Sequence, residues 1–142
     1  MLNRKFTTPF IVLLLLISGS CKKQVDSIKE DLMIKLITEN TWKVVRYLDG
    51  TTNSTTEFVN YDFKFSKSNT VDALTNGVTE ATGTWLGSET TQSITAGFPS
   101  AGAPLNKLNG IWLITNTKSK PWRVYSHRFE NGKELILDLQ EK

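Results

Sequence analysis

His127 is the sole histidine of this 142-residue chain and Cys21 its sole cysteine, and those two counts limit the chemistry available. Metal sites built from several His and Cys ligands are excluded, and a Ser-His-Asp triad would have to rest on His127 alone. Alternation along a strand at Trp122 to Phe129 sends Ser126 and Arg128 to the face opposite His127, so His127 reads as a surface or rim residue. The carboxylates fall as Glu30 with Asp31 on a helix and Glu57 with Asp62 on a strand, with no spacing that specifies a paired acid and base. There is no Gly-rich phosphate loop and no calcium loop. The chain is therefore expected to be no enzyme, to hold no metal and to use no cofactor.

What the residue types do suit is binding. If Trp42 points into a core, period two carries Val44, Arg46 and Leu48 inward with it, opposite a face bearing Tyr61 and Phe63. Trp85, Trp112 or Ile111, and Trp122 or Tyr125 extend this aromatic set. It reads either as the filling of a small core or as the lining of a ligand cavity. A guanidinium on the inward parity of an apolar strand must be paired or reach solvent. Arg46 is thus a candidate to hold a carboxylate or phosphate headgroup through bidentate hydrogen bonds, with an internal ion pair as the plainer alternative.

The elements that would position these residues follow from periodicity. Ser27 and Glu30 have capping-box spacing ahead of an apolar stripe of Ile28, Leu32 and Leu36 with Ile34 and Ile37, which predicts a helix to about Thr38. From Thr41 onward the period becomes two. Strands are expected at Thr41 to Leu48, Glu57 to Ser66 (with Val59, Tyr61, Phe63 and Phe65 on one face), Val71 to Thr75, Val78 to Leu86 and Thr90 to Ala96. Three more follow at Gly110 to Asn116, Trp122 to Phe129 and Lys133 to Gln140. Asn76-Gly77 and Asn131-Gly132 mark tight hairpin turns that need positive φ. Gly97 to Asn109 is longer than a hairpin loop and reads as a lid over a barrel mouth or as a plain surface loop. About eight consecutive strands without intervening helices predict an all-β, antiparallel up-and-down barrel with a short N-terminal helix; a two-sheet sandwich is the alternative.

Arg4-Lys5, the apolar run Phe10 to Ile17 and the small residues Ser18-Gly19-Ser20 precede Cys21. Eight apolar residues span roughly 12 Å as a helix, against roughly 30 Å of hydrocarbon core, so the run is a secretory signal and no membrane span. Ile17-Ser18-Gly19-Ser20-Cys21 resembles a lipobox, the site at which bacterial lipoproteins receive diacylglycerol on the cysteine sulfur before cleavage. The family usually has Leu where this chain has Ser18. The resemblance implies residues 1–20 as a removed signal, Cys21 as the lipid-bearing first residue, 21–26 as a linker and 27–142 as one domain. Two or three acyl chains at about 0.8 kcal/mol per methylene make such an anchor effectively permanent. Without Arg4 and Lys5 the 17 Lys and Arg become 15 against 14 Asp and Glu, so nothing resembles a nucleic-acid footprint. Lys22, where an inner-membrane lipoprotein of enteric bacteria carries Asp, implies the outer membrane.

The lipidation site, the helix leading into Asn40-Thr41-Trp42-Lys43-Val44-Val45, the Asp49-Gly50 turn and Gly83-Thr84-Trp85 together resemble the lipocalin-like lipoproteins of Bacteroidetes. Lipocalins open their first strand with Gly-x-Trp; here Asn40 takes the glycine place and Trp42 is kept. Their Thr-Asp-Tyr turn has no counterpart, its nearest candidate being a turn at Asn116-Thr117-Lys118. The resemblance implies a tethered barrel that holds a small hydrophobic or amphipathic ligand. The alternative is a structural or inhibitory envelope protein with a filled core, whose rim or outer face meets another protein.

Overall fold

The computed structural model describes residues 31–142. The expected signal (1–20), Cys21, the expected linker (21–26) and the expected capping residues Ser27 and Glu30 lie outside the described residues.

Helix α1, residues 31–39, leads directly into β1 (Thr41–Asp49). Its last carbonyls are taken by side chains, with Thr38 Oγ1 donating to Ile34 O at 2.8 Å and Asn40 Nδ2 to Leu36 O at 3.0 Å. The buried stripe centres on Ile37, with Ile34 and Leu36 packed beside it; Leu32, expected in that stripe, is exposed.

Eight strands form the barrel: β1, β3 (Tyr61–Phe65), β4 (Thr70–Thr75), β5 (Val78–Ser88), β6 (Ser93–Gly97), β7 (Gly110–Lys118), β8 (Arg123–Glu130) and β9 (Lys133–Glu141). Each neighbour in the sequence is an antiparallel neighbour in space, and β9 pairs back onto β1 from Trp42↔Glu141 to Asp49↔Leu135. The sheet is therefore a closed up-and-down barrel in which each of the eight strands has a neighbour on both sides over at least part of its length. A two-residue strand, β2 (Thr52–Asn53), adds to the outer end of β1. At both predicted Asn-Gly turns the two residues have positive φ, +52° and +80° at Asn76 and Gly77, +52° and +77° at Asn131 and Gly132. The segment Asn116-Thr117-Lys118 belongs to β7, and the turn lies beyond it.

Two local departures matter for the site. A bulge between Val44 and Arg46 resets the parity of β1, so Trp42 and Val44 face inward, Tyr47 follows them, and Arg46 is turned outward. Before β3, residues Thr55–Phe58 wind into a 3-10 helix where alternation predicted strand. Period three replaces period two there: Phe58 is fully buried, and Val59, expected inside, is 69 % exposed.

The core is filled. Trp42, Phe63, Phe65, Trp85, Phe98, Trp112, Val124 and the alternating Leu135, Leu137 and Leu139 of β9 are buried together. The three buried indoles each donate to a carbonyl, Trp42 to Ile37 at 2.9 Å, Trp85 to Ser66 at 2.8 Å and Trp112 to Leu108 at 2.8 Å. α1 closes the pole where Trp42, Phe65 and Trp85 lie. The opposite pole carries the 98–109 loop.

Candidate functional site

Between Phe63, Phe65, Val71, Trp112, Val124 and Leu137 the barrel retains a cavity of about 40 Å³. That is room for a few waters at most, and an apolar void of this kind stays dry. The one polar group on its wall, Ser126 Oγ, already donates to Leu137 O at 2.6 Å. The interior has no space for a drug-sized molecule.

A second hollow of about 330 Å³ lies at the open pole. Its walls are Tyr61, Glu80, Ala81 and Thr82 on the strand side and Phe98, Ser100, Ala101, Gly102, Ala103 and Leu105 on the loop side. This volume is at the lower end of the roughly 300–1,000 Å³ typical of ligand sites, and it combines an apolar floor with a few polar groups. Glu80 reaches it through a second bulge, at the point where β5 pairs Ala81 with Ala73 and then Thr79 with Leu74. Being the extra residue, Glu80 leaves the outward parity and accepts Tyr61 Oη at 2.8 Å on one oxygen and Thr75 Oγ1 at 2.8 Å on the other. That bond to Glu80 is the main reason the Tyr61 phenol is raised above its ordinary value, so Tyr61 stays protonated and donating. Each carboxylate oxygen keeps acceptor capacity. Among the described residues no Lys, Arg or His nitrogen lies within 4 Å of Glu80.

The loop wall is fastened down. Phe98, Leu105 and Leu108 are buried, so the Gly97 to Asn109 segment folds over the mouth, the first of its two expected readings. Asn109 Oδ1 accepts the Phe98 N–H at 2.6 Å and closes the loop on itself. Arg128 enters from β8 on the inward parity shared with Val124 and Ser126. Its guanidinium lies 4.6 Å over the Trp112 ring and donates to Asn109 O, to Lys107 O at 3.2 Å and to Glu130 Oε2 at 2.9 Å. Gly110, at φ +132°, holds a backbone conformation that a side chain would strain, and a Cβ there would also displace this guanidinium. Tyr47 Oη also donates to Lys107 O, at 3.2 Å, and burial raises that phenol. On the surface Lys107 Nζ meets Glu57 at 2.6 Å, a hydrogen bond that lowers the Glu57 carboxyl.

Of the predicted site residues, Tyr61 alone reaches this mouth. Phe63 and Trp112 line the small interior cavity, while Trp42 and Trp85 sit in the closed pole. Arg46 does not face the interior: the bulge puts it on the outer wall, 3.8 Å from Asp138. The two are partners on β1 and β9. Asp138 is itself buried, and burial raises its carboxyl, with Arg46 and Arg123 opposing. His127 Nδ1 lies 2.8 Å from Glu134 Oε1 on the same outer wall. Glu80 and Arg128 carry the mouth, and sequence reasoning missed both as site residues. For Arg128 a signal existed, a cation on the inward parity of β8. For Glu80 there was none, since only the bulge turns it in.

No protein-family profile matches the chain. Among the described residues no three His, Cys, Asp or Glu side chains converge as metal ligands, and no helix is long and apolar enough to cross a membrane.

Proposed function

We propose that this protein is a non-catalytic binding module of the cell envelope, tethered by lipid on Cys21, that takes an amphipathic ligand at its barrel mouth. The observation that carries the reading is the contrast between the roughly 330 Å³ hollow at Glu80 and the roughly 40 Å³ left in the core. An apolar part would rest on Phe98, Leu105 and Ala81, and a hydrogen-bond donor or cation would face the Glu80 carboxylate. The export signal and lipobox-like run support the tether. A mature N-terminus without acyl groups, read by mass spectrometry, would remove it.

Phenethylammonium chloride is a suitable first probe. In an NMR titration it should shift Ala81, Ala101 and Leu105 resonances. The shifts should vanish in Gly102→Trp, whose Cβ starts in open space, and persist in Ser126→Val, which alters the interior cavity instead. The reverse pattern would return the site to the core.

A second reading, an interaction protein working through its outer face, is favoured by one feature. Leu86, Ile111, Leu113 and Phe129 are exposed by 60 %, 58 %, 42 % and 69 % on adjoining strands β5, β7 and β8 around β6. Loss of a co-purifying envelope protein in Ile111→Ser, with phenethylammonium binding unchanged, would support it.

A further inference from the structure

The mouth is bordered by a length of strand that has a neighbour on one side only. β5 pairs with β4 from Thr75↔Val78 to Thr70↔Thr84, but its pairing with β6 begins only at Thr84↔Gly97. From Val78 to Gly83 the other edge of β5 has no strand beside it. At Gly97 the neighbouring chain turns away into the 98–109 loop, packing so closely on Gly83 that any Cβ there would meet Gly97 O and the Phe98 ring. The space it leaves is the hollow lined by Glu80, Ala81 and Thr82 on one side and Ser100 to Ala103 on the other.

Proteins usually protect such an edge with lysine, proline or a covering segment. The run Val78-Thr79-Glu80-Ala81-Thr82-Gly83 has neither lysine nor proline, and its one charge is turned into the mouth. The loop that could have covered it stands off across the hollow, and its facing residues Ser100, Ala101, Gly102 and Ala103 are small. An unpaired strand edge beside a side-chain pocket is the arrangement by which extended peptides are bound: the main chain extends the sheet and alternate side chains fill pockets. Here the pocket offers a carboxylate with no cation near it among the described residues, which suits a lysine or arginine side chain.

We propose that the ligand of the mouth is an extended peptide segment of another protein, added as a strand to the Val78–Gly83 edge with a basic side chain placed against Glu80. This rests on the mouth being the binding site and specifies its occupant.

The test uses the full chain and a defined probe, acetyl-Thr-Val-Lys-Val-Thr-amide. Binding should slow hydrogen exchange of those amides between Val78 and Gly83 that point away from β4, and should shift Tyr61 and Ala101. The same peptide N-methylated at all five residues should not bind, because none of its residues keeps a main-chain N–H to donate to the edge. Gly102→Trp should abolish binding, and Glu80→Gln should weaken it roughly threefold, the effect of one partly exposed charge. A peptide that shifts only Tyr61 and Ala101, as phenethylammonium would, with no edge amide slowed, overturns strand addition and leaves the mouth site standing. Failure of both probes overturns both. Edge amides that become protected with rising protein concentration alone would assign the edge to a second copy of this chain and also overturn the proposal.

Discussion

At the closed pole, α1 and the barrel meet through groups that have no freedom left: Trp42 is wholly buried, and its N–H is held by the carbonyl of Ile37. At the mouth the loop is held by hydrogen bonds to its own main-chain carbonyls, made largely by one arginine, and the hollow beside it is open. The loop is also packed, through Phe98, Leu105 and Leu108, but its main-chain carbonyls depend on a polar clasp that the closed pole does not need. Packing tolerates almost no rearrangement, whereas a clasp can be released one bond at a time. The end that is able to change is the end with room for a ligand.

The contrast can be broken most directly at the packed pole. Trp42→Ala should cost about 3–5 kcal/mol of folding free energy, measured by chemical denaturation, because the cavity it opens lies between a helix and a closed sheet that cannot collapse together. A loss below about 1 kcal/mol would mean that the helix is not a structural plug. Arg128→Ala should cost less, about 2 kcal/mol for charge-assisted hydrogen bonds left unmade, and the damage should be local. Amide exchange should accelerate in residues 98–110 while β9 remains protected. Arg128→Lys should not restore it, since an ammonium cannot reach two carbonyls and lie flat on Trp112 at once.

Asp138 sharpens the comparison from the outer wall, away from both poles. Its carboxyl is raised by burial, so between the ordinary carboxylate value of about 3.9 and the higher folded value the folded chain binds more protons than the unfolded one. The contribution of this group to stability therefore falls as pH rises through that window and levels off above it. Asp138→Asn should flatten that part of the stability curve, with a change under about 1 kcal/mol, because its partner Arg46 is half exposed. Unfolding followed across acid pH reads this directly, and mouth binding should be untouched. The smallest effect belongs to Glu57, which lies at the surface and whose folded pKa is lowered by its hydrogen bond from Lys107. The contribution is present above the ordinary carboxylate range and lost as pH falls through the lowered value. Glu57→Gln should speed exchange slightly near Lys107, and high salt should erase the difference.

Much of the barrel was legible because its signals are local. Asn76-Gly77 and Asn131-Gly132 announce hairpins through the φ they must adopt, and β4 and β8 alternate cleanly enough to show their buried faces. The site was less legible because a single inserted residue reverses every later side chain on its strand. An inward cation needs partners or solvent, but the bulge in β1 turns Arg46 outward before that requirement applies. The requirement does apply to Arg128, where no irregularity intervenes between Val124 and the carbonyls that take up the charge. Glu80 illustrates the opposite case, an outward-parity residue brought inside by its bulge. The 3-10 turn at Thr55–Phe58 exchanged Val59 for Phe58 for a related reason, since pattern reading assumes one period and the chain changed it. The lid required knowledge that Phe98, Leu105 and Leu108 meet a core formed by strands distant in sequence.

The seam between β1 and β9 joins the first long strand to the last, and the main chain at Lys142 reaches back to Thr41 at 2.9 Å. Loop closure makes such a distant pairing the slowest contact to form. Until residues 133–141 are made, the partial sheet keeps two raw borders and cannot seal. Ring formation therefore waits on β9: the barrel seals only when this strand is present to meet β1.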